Sequence, residues 1–294
     1  MEPISINQET CTLCGLCGEV CPNLVTHVEP KVSVTLRSDR VERCIRCGQC
    51  MAVCPSRSIQ VDGLSYETDF FELPKGKAAD LPFVDMVKSR RAIRAYKDKP
   101  VPPDVLEQIV ETITFAPPSF TPLKIELVVV QDTEVIRKAL PEMVNVYDGL
   151  LKMMSNPIGR IFIRRANGAE RFRVVEHHVA PLMRSRMPEL KQGLEDTITR
   201  NAPAMIIFHA HHEAENYKTD INIAMTYGFL AAHSLGLGCC PIDLVPPTIQ
   251  RNSALRDLFQ TPKENIPVAA LILGYPKYRY QRGIKRELRD VTWI

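Results

Sequence analysis

Cys11-Thr12-Leu13-Cys14-Gly15-Leu16-Cys17-Gly18-Glu19-Val20-Cys21-Pro22 is followed by Cys44-Ile45-Arg46-Cys47-Gly48-Gln49-Cys50-Met51-Ala52-Val53-Cys54-Pro55. These two stretches decide how the chain must be read. Both follow the spacing C-x2-C-x2-C-x3-C-P, and each cysteine of the first recurs 33 positions later. The second half of the segment is therefore an internal duplicate of the first. Of the 10 cysteines, these eight precede residue 55, and only the adjacent Cys239 and Cys240 lie elsewhere.

Three chemistries compete for such a set. A disulfide framework needs an oxidising compartment, and the opening residues, with Glu2, Gln8 and Glu9 and no apolar stretch, do not read as an export signal. Structural zinc favours two well-separated pairs. The observed spacing instead suits iron–sulfur ligation: three closely spaced thiolates serve one cubane and the fourth crosses to the other. On this reading Cys11, Cys14, Cys17 and Cys54 hold one [4Fe-4S] cluster, and Cys44, Cys47, Cys50 and Cys21 hold the second. Gly15, Gly18 and Gly48 let backbone N–H groups approach the inorganic sulfides. Residues 32–36, a β-branched alternation, predict a short strand between the repeats. Over residues 5–62 the segment resembles bacterial-type two-cluster ferredoxins. Arg37, Arg40, Arg43, Arg46 and Arg57 form either a solvated face or a docking surface for an electron donor.

At 294 residues the chain predicts two domains. Lys and Arg number 37 against 34 Asp and Glu, a net charge of +3 that argues against nucleic acid as a partner. No apolar run reaches the roughly 18 residues of a membrane span. A cytoplasmic location is the expectation. Residues 63–83 lack periodicity and are punctuated by Gly63, Pro74, Gly76 and Pro82, which predicts a connector, with Tyr66, Phe70 and Phe71 packing on a neighbour.

Beyond the connector, helix-like and strand-like stretches alternate. Val101-Pro102-Pro103-Asp104 is a helix start. Residues 125–131, 203–209, 239–245 and 266–274 predict strands, the last (IPVAALILG) buried on both faces. Asp220 is placed to cap a helix running through Ser234 and ended by Gly236. The expected fold class is α+β: the ferredoxin-like domain plus an α/β sandwich with a central, mostly antiparallel sheet flanked by helices.

Four motifs in this second part carry a further resemblance. Ser89-Arg90-Arg91-Ala92-Ile93-Arg94-Ala95-Tyr96 resembles the S-R-R-S-x-R-x-F opening of the nitroreductase superfamily. Ala116-Pro117-Pro118-Ser119-Phe120-Thr121 occupies the place of that family's A-P-S-x-x-N loop, with Pro118 for Ser and Thr121 for Asn. Leu235 to Asp243 resembles L-G-x-x-x-x-P-I-E, and Gly274-Tyr275-Pro276 with a basic stretch and Thr292-Trp293-Ile294 resembles the C-terminal end. The resemblance spans residues 84–294.

What it implies is an FMN-binding homodimer. Arg90, Arg91, Ala92 and Arg94 would bind the phosphate and polar edge of FMN; Lys285 and Arg286, with Arg282, would complete the phosphate clamp. Guanidinium forks suit phosphate oxygens. Pro117, Pro118, Ser119 and Thr121 would lie against the isoalloxazine, and Pro241, Ile242, Asp243 and Leu244 would border it, Leu244 where the family often has glycine. Residues of about 145–195 predict a helical insertion covering the flavin or a solvated basic surface. His209, His211, His212 and Glu213 follow a strand into a loop without a spaced partner, and Cys239–Cys240 reads as a buried pair. No G-x-G-x-x-G follows a strand, so a nicotinamide would have to meet the flavin directly.

The expected function is an iron–sulfur flavoprotein oxidoreductase. A soluble donor (ferredoxin or NAD(P)H) would supply electrons through the clusters to FMN, which reduces a small organic acceptor of nitroarene, quinone or activated-alkene type. Two alternatives remain at this point: FMN-dependent oxidation with electron export through the clusters, and a redox sensor or electron-transfer module without a substrate.

Overall fold

The computed structural model describes residues 3–119 and 123–294. In chain order the strands are β1 (Ile4–Ile6), β2 (Thr26–Glu29), β3 (Ser33–Leu36), β4 (Ile59–Val61), β5 (Phe70–Glu72), β6 (Glu126–Val130), β7 (Ala204–His211), β8 (Gly238–Pro241), β9 (Asn265–Gly274) and β10 (Arg282–Ile284). The helices are α1 (Leu16–Val20), α2 (Gln49–Val53), α3 (Phe83–Ser89), α4 (Pro103–Thr114), α5 (Thr133–Met154), α6 (Pro157–Val174), α7 (Ala180–Lys191), α8 (Tyr217–Ser234), α9 (Pro246–Arg251) and α10 (Ser253–Leu258).

The chain forms two compact units. The first comprises Met1–Ala95, His233–Gly236 and Pro276–Ile294, and the second Tyr96–Ala232 and Leu237–Tyr275. Tail residues beyond Pro276 therefore belong with the cysteine repeats.

Within the first unit the duplication is visible in the backbone itself. Gly15 and Gly48 precede α1 and α2 in the left-handed region, both with φ of 73°. Cys21 and Cys54 end those helices in extended conformation, at φ of −69° and −70°. Leu13 and Arg46, then Leu24 and Arg57, repeat the positive φ at equivalent positions. Because a Cβ crowds the backbone there, the recurrence shows that loop geometry, not side-chain identity, is what the repeat preserves. β1 pairs antiparallel with β4, Ile4 opposite Val61, and β2 with β3, Thr26 opposite Leu36. The predicted strand at 32–36 is thus one arm of a hairpin, starting at Ser33 because Val32 lies in the turn.

The stretch read as a connector contains a strand. β5 pairs antiparallel with β10, placing Phe71 opposite Gly283 and Phe70 opposite Ile284. Two short segments more than two hundred residues apart satisfy each other's backbone, a long-range pairing with no local signature.

The second unit is built on a four-stranded sheet of order β6-β7-β9-β8, every neighbouring pair antiparallel. β7 and β9 are central and almost wholly buried, as their β-branched, alternation-free sequences require. Helices α4 and α8 contribute Leu106, Ile109, Ile113, Ala224 and Ala232 to the core with Phe208 and Leu271. Gly228 on α8 lies against Ile113, where an added Cβ would sit 3.0 Å from its side chain. The predicted strand at 239–245 is shorter than expected: the residues after Pro241 leave the sheet, and Ile242 N–H donates to the Ala270 carbonyl at 2.9 Å. The stretch read as a helical insertion at about 145–195 is helical up to Lys191, as α5, α6 and α7 with a π-helical turn at Val175–Val179, although α5 begins well before 145 and α6 is broken at Gly168. Among the described residues no helix is long and apolar enough to cross a membrane.

Candidate functional site: two cysteine cavities and an arginine turn

The four-cysteine repeats fold around two cavities in the first unit. One is lined by Cys11, Cys14, Cys17 and Cys54, with Ile6, Val34 and Ile59 among its other walls. The other is lined by Cys21, Cys44, Cys47 and Cys50, with Ile4, Val25 and Val61. Each cavity thus receives three cysteines from one repeat and the last from the other. Local structure explains the exchange. The left-handed glycine starts a five-residue helix that carries its final cysteine away from the preceding three. Among the described residues the eight cysteines of the repeats form no disulfide.

The donor set fits iron–sulfur clusters on physical grounds. Burial pushes the Cys17 thiol up to about 11, with Cys14 and Cys54 adding repulsion against its thiolate. Cys50 is raised well above the ordinary thiol range, first by burial and then by Cys21 and Cys47. Four thiolates converging on one cavity repel one another unless cationic iron compensates them. Among the described residues, no three His, Cys, Asp or Glu side chains are placed to share a single metal ion. Sulfurs spread around a cavity suit a cubane, whose irons are its corners.

The second feature is the turn after α3. Arg91 donates from its two Nη groups to the carbonyls of Arg90 and Lys88, at 2.7 and 2.6 Å, and lies over the Phe71 ring. Burial first, then the charges of Arg90 and Arg286, opposed by Tyr280, lower the Arg91 pKa to about 10. Arg90, Arg91 and Arg286 therefore form one cationic group in the first unit. Arg91 Nε and Arg94 Nη1 are buried and have no hydrogen-bond partner among the described residues. Unfilled guanidinium donors inside a cationic group are what a phosphate would satisfy. Lys285 is exposed, but its backbone N–H donates to the Asp69 carbonyl at 2.8 Å, fixing the chain ahead of Arg286. Ala92 is half-buried in the same turn.

Sequence reasoning missed the residues that hold this turn. His233, from the end of α8, shares a 2.7 Å hydrogen bond with the Ser89 hydroxyl. Burial, then the charges of Arg90 and Arg91, lower the His233 pKa to about 4, so the imidazole is neutral at physiological pH. Tyr280 places its hydroxyl 3.5 Å from the Ala92 carbonyl. Neither residue belongs to a motif; only the fold brings them to the turn.

In the second unit, Pro117, Pro118 and Ser119 are at least partly exposed, and Thr121 lies outside the described residues. Asp220 does not cap α8, which begins three residues earlier at Tyr217. Its buried carboxylate instead accepts from Ser119 N–H at 2.9 Å and Ser119 Oγ at 2.6 Å, tying down the loop before the described segment ends. A carboxylate reads as a cap by position, yet a buried one must find donors wherever the fold offers them. After β8, Pro241, Ile242, Asp243 and Leu244 leave the sheet together, and the Leu244 carbonyl accepts from the Tyr147 hydroxyl of α5 at 2.7 Å. His209 is buried at hydrogen-bond distance, 2.8 Å, from Asn265, while the His211 and His212 rings stack on each other. Cys239 and Cys240 are buried on β8.

Comparison with known proteins gives the class of this architecture. Residues 87–275 match the nitroreductase family, and the chain belongs to it. Residues 3–55 match a 4Fe-4S dicluster domain, so the protein is a fusion of a two-cluster ferredoxin module with a nitroreductase. The chain is 28% identical over 198 residues to an FMN reductase [NAD(P)H] of Bacillus subtilis, covering 66% of this chain and 67% of the relative. In fold it is similar to a nitroreductase from Bacteroides fragilis solved with bound FMN, at 18% identity and a TM-score of 0.54, over 72% of this chain and 97% of that one. A second FMN-bound nitroreductase, from Desulfitobacterium hafniense, matches at 15% identity with a TM-score of 0.50, over 75% of this chain and all 100% of the other.

Proposed function

We propose that the protein is an FMN-dependent iron–sulfur oxidoreductase that takes single electrons from a soluble donor into two [4Fe-4S] clusters and uses them, through FMN, to reduce a small organic acceptor. One observation carries the reading: the cysteine cavities and the cationic turn of Arg90, Arg91 and Arg286 belong to the same compact unit. Bound FMN would supply the exchange between one- and two-electron chemistry; the protein supplies binding and electrostatics. Arg90, Arg91, Arg94 and Arg286 would hold the phosphate; bordering of the flavin by Ser119 and the segment Pro241 to Leu244 is what the family resemblance implies. Cys11, Cys14, Cys17 and Cys54 ligate one cluster, and Cys21, Cys44, Cys47 and Cys50 the other. The family's organisation supports a homodimer, and the FMN reductase relative supports NAD(P)H as a candidate donor beside reduced ferredoxin.

Anaerobic protein then carries about eight irons per chain, and releases FMN and not FAD on denaturation. Cys54→Ser removes the spectroscopic signal of the cluster built by Cys11, Cys14 and Cys17; loss confined to the signal of Cys44, Cys47 and Cys50 would show that the ligands do not cross. Steady-state assays with dithionite, reduced ferredoxin and NAD(P)H against nitroarene, quinone and enone acceptors identify the donor and acceptor. Electron export to an oxidised carrier without acceptor reduction would reverse the proposed direction.

A further inference from the structure

The duplication gives the two cavities the same backbone, and so exposes where their side chains part. Ser56 and Ser58 line the cavity of Cys11, Cys14, Cys17 and Cys54. The residues 33 positions earlier, Asn23 and Val25, line the cavity of Cys21, Cys44, Cys47 and Cys50. In both repeats a residue of positive φ stands between the two, Arg57 at 54° and Leu24 at 42°. What these pairs do for the crossing cysteine differs. Ser56 Oγ lies 3.7 Å from Cys54 Sγ, a hydrogen-bond distance for the larger sulfur atom, and Ser58 Oγ lies 2.7 Å from Ser56 Oγ. Asn23 turns instead to the main chain, donating from Nδ2 to the Arg43 carbonyl at 2.7 Å. Cys21 Sγ accepts from the Val25 backbone N–H at 3.3 Å.

Cluster ligation fixes the direction of the serine bonds. A ligating cysteine is a thiolate, which carries no proton and can only accept. Ser56 is then the donor, and its oxygen is left to accept from the Ser58 hydroxyl. The pair forms a chain in which one bond polarises the next. Both ends of the chain are held. Asn7 N–H donates to the Ser58 carbonyl at 2.7 Å, just ahead of β4, and Arg282 donates to the Cys54 carbonyl at 2.9 Å. Ser58 and Cys54 are buried, so water has little access to either end.

We propose that Ser56, backed by Ser58, donates a hydrogen bond to the Cys54 thiolate and thereby raises the reduction potential of the cluster held by Cys11, Cys14, Cys17 and Cys54. This rests on the cofactor assignment above. Reduction adds one electron, supplied by a reduced one-electron carrier of the ferredoxin class, and transfers no atom; the serine keeps its proton. The added charge spreads onto the ligating sulfurs, so a donor placed there binds the reduced form more tightly than the oxidised one. At Cys21 the donor belongs to the main chain and survives any side-chain change. At Cys54 it is a side chain, which tunes one cluster without altering the shared backbone. Ser56 is a positioning residue in this role, because it acts on the cluster through its ligand.

The test is an EPR-monitored redox titration of intact, iron-loaded protein, with Cys14→Ser and Cys47→Ser identifying which wave belongs to which cluster. Ser56→Ala should lower the wave of the Cys14 cluster by about tenfold in the reduction equilibrium, about 59 mV for a one-electron couple, and leave the wave of the Cys47 cluster in place. Ser56→Thr, which keeps the hydroxyl, should hold the wild-type potential. Ser58→Ala should shift the same wave in the same direction by less. After exchange into heavy water, hyperfine spectra of the Cys14 cluster should lose one exchangeable coupling in Ser56→Ala and retain it in Ser56→Thr. If Ser56→Ala moves both waves equally, moves neither, or raises that of the Cys14 cluster, the proposal is overturned while the two-cluster assignment stands. Should Ser56→Ala lose iron, Ser58→Ala decides on the same terms. Absence of two [4Fe-4S] signals in wild type would instead overturn the assignment on which the proposal rests.

Discussion

His233 shows how one side chain ties the cationic turn to a pH dependence. Its folded pKa of about 4 lies below the usual 6.5 because burial and then Arg90 and Arg91 oppose a third positive charge. The unfolded chain therefore binds a proton that the folded one refuses as pH falls below 6.5. The stability involved is complete above that value, declines through the interval, and is fully lost below about 4. Screened by its partial exposure, the effect is on the order of 2 kcal/mol. Melting curves of wild type and His233→Gln should converge as pH falls from 7 to 4.5, with wild type losing more. Parallel pH profiles would mean that His233 does not titrate in this window. At the same scale, Arg90→Ala or Arg286→Ala should weaken FMN binding by a few kcal/mol at most, the size of a lost charge-assisted hydrogen bond, read by flavin retention on dialysis.

The pairing of β5 with β10 is the element that backs the arginine turn. Gly283 faces Phe71 and Arg91 so closely that an added Cβ would overlap the Phe71 ring and the Arg91 guanidinium. Gly283→Ala must therefore displace Arg91 or part the strands, because neither a ring nor a strand backbone yields cheaply. FMN retention should fall in Gly283→Ala by more than in Lys285→Ala, where an exposed side chain is lost. Equal retention would show that Arg91 is not held by this strand pair. α8 makes a related point. Its sequence signals a helix correctly, but the buried Asp220 serves the Ser119 loop, and the last turn delivers His233 to Ser89.

For the molecule as a whole, the compact units do not coincide with the order of the sequence. The tail from Pro276 packs with the cysteine repeats: Arg282 donates to the Cys54 carbonyl, Gln281 to Ala52, and Lys277 pairs with Glu19 at 2.8 Å. Ending the chain at Tyr275 should therefore reduce bound iron as well as FMN, measured together on anaerobically purified protein. Full iron content with loss of FMN alone would show that the cysteine repeats fold without the tail. For the same reason, removing residues 1–80 would take β5, the partner of β10, away together with the cysteine repeats. Surface arginines of the repeats are largely paired, Arg37 with Asp39, Arg46 with Asp62 and Arg57 with Glu67. Flavin reduction by an acidic carrier should accordingly show only a shallow fall with rising salt.

The sequence alone determined the duplication, the crossing of the fourth cysteine, and the family of the second part. These rest on spacing and residue type, which local geometry reproduces twice: a left-handed glycine, a five-residue helix and an extended cysteine before proline. It also carried the buried strands, because a continuous apolar run has no other stable place. Only the tertiary structure decided that β5 finds β10, that Asp220 binds Ser119 rather than capping its helix, and that His233 and Tyr280 support the arginine turn. The physical reason is that each is one or two long-range hydrogen bonds or a three-residue pairing. Such contacts have no periodicity to read, and their partners are chosen by what the rest of the fold leaves unsatisfied.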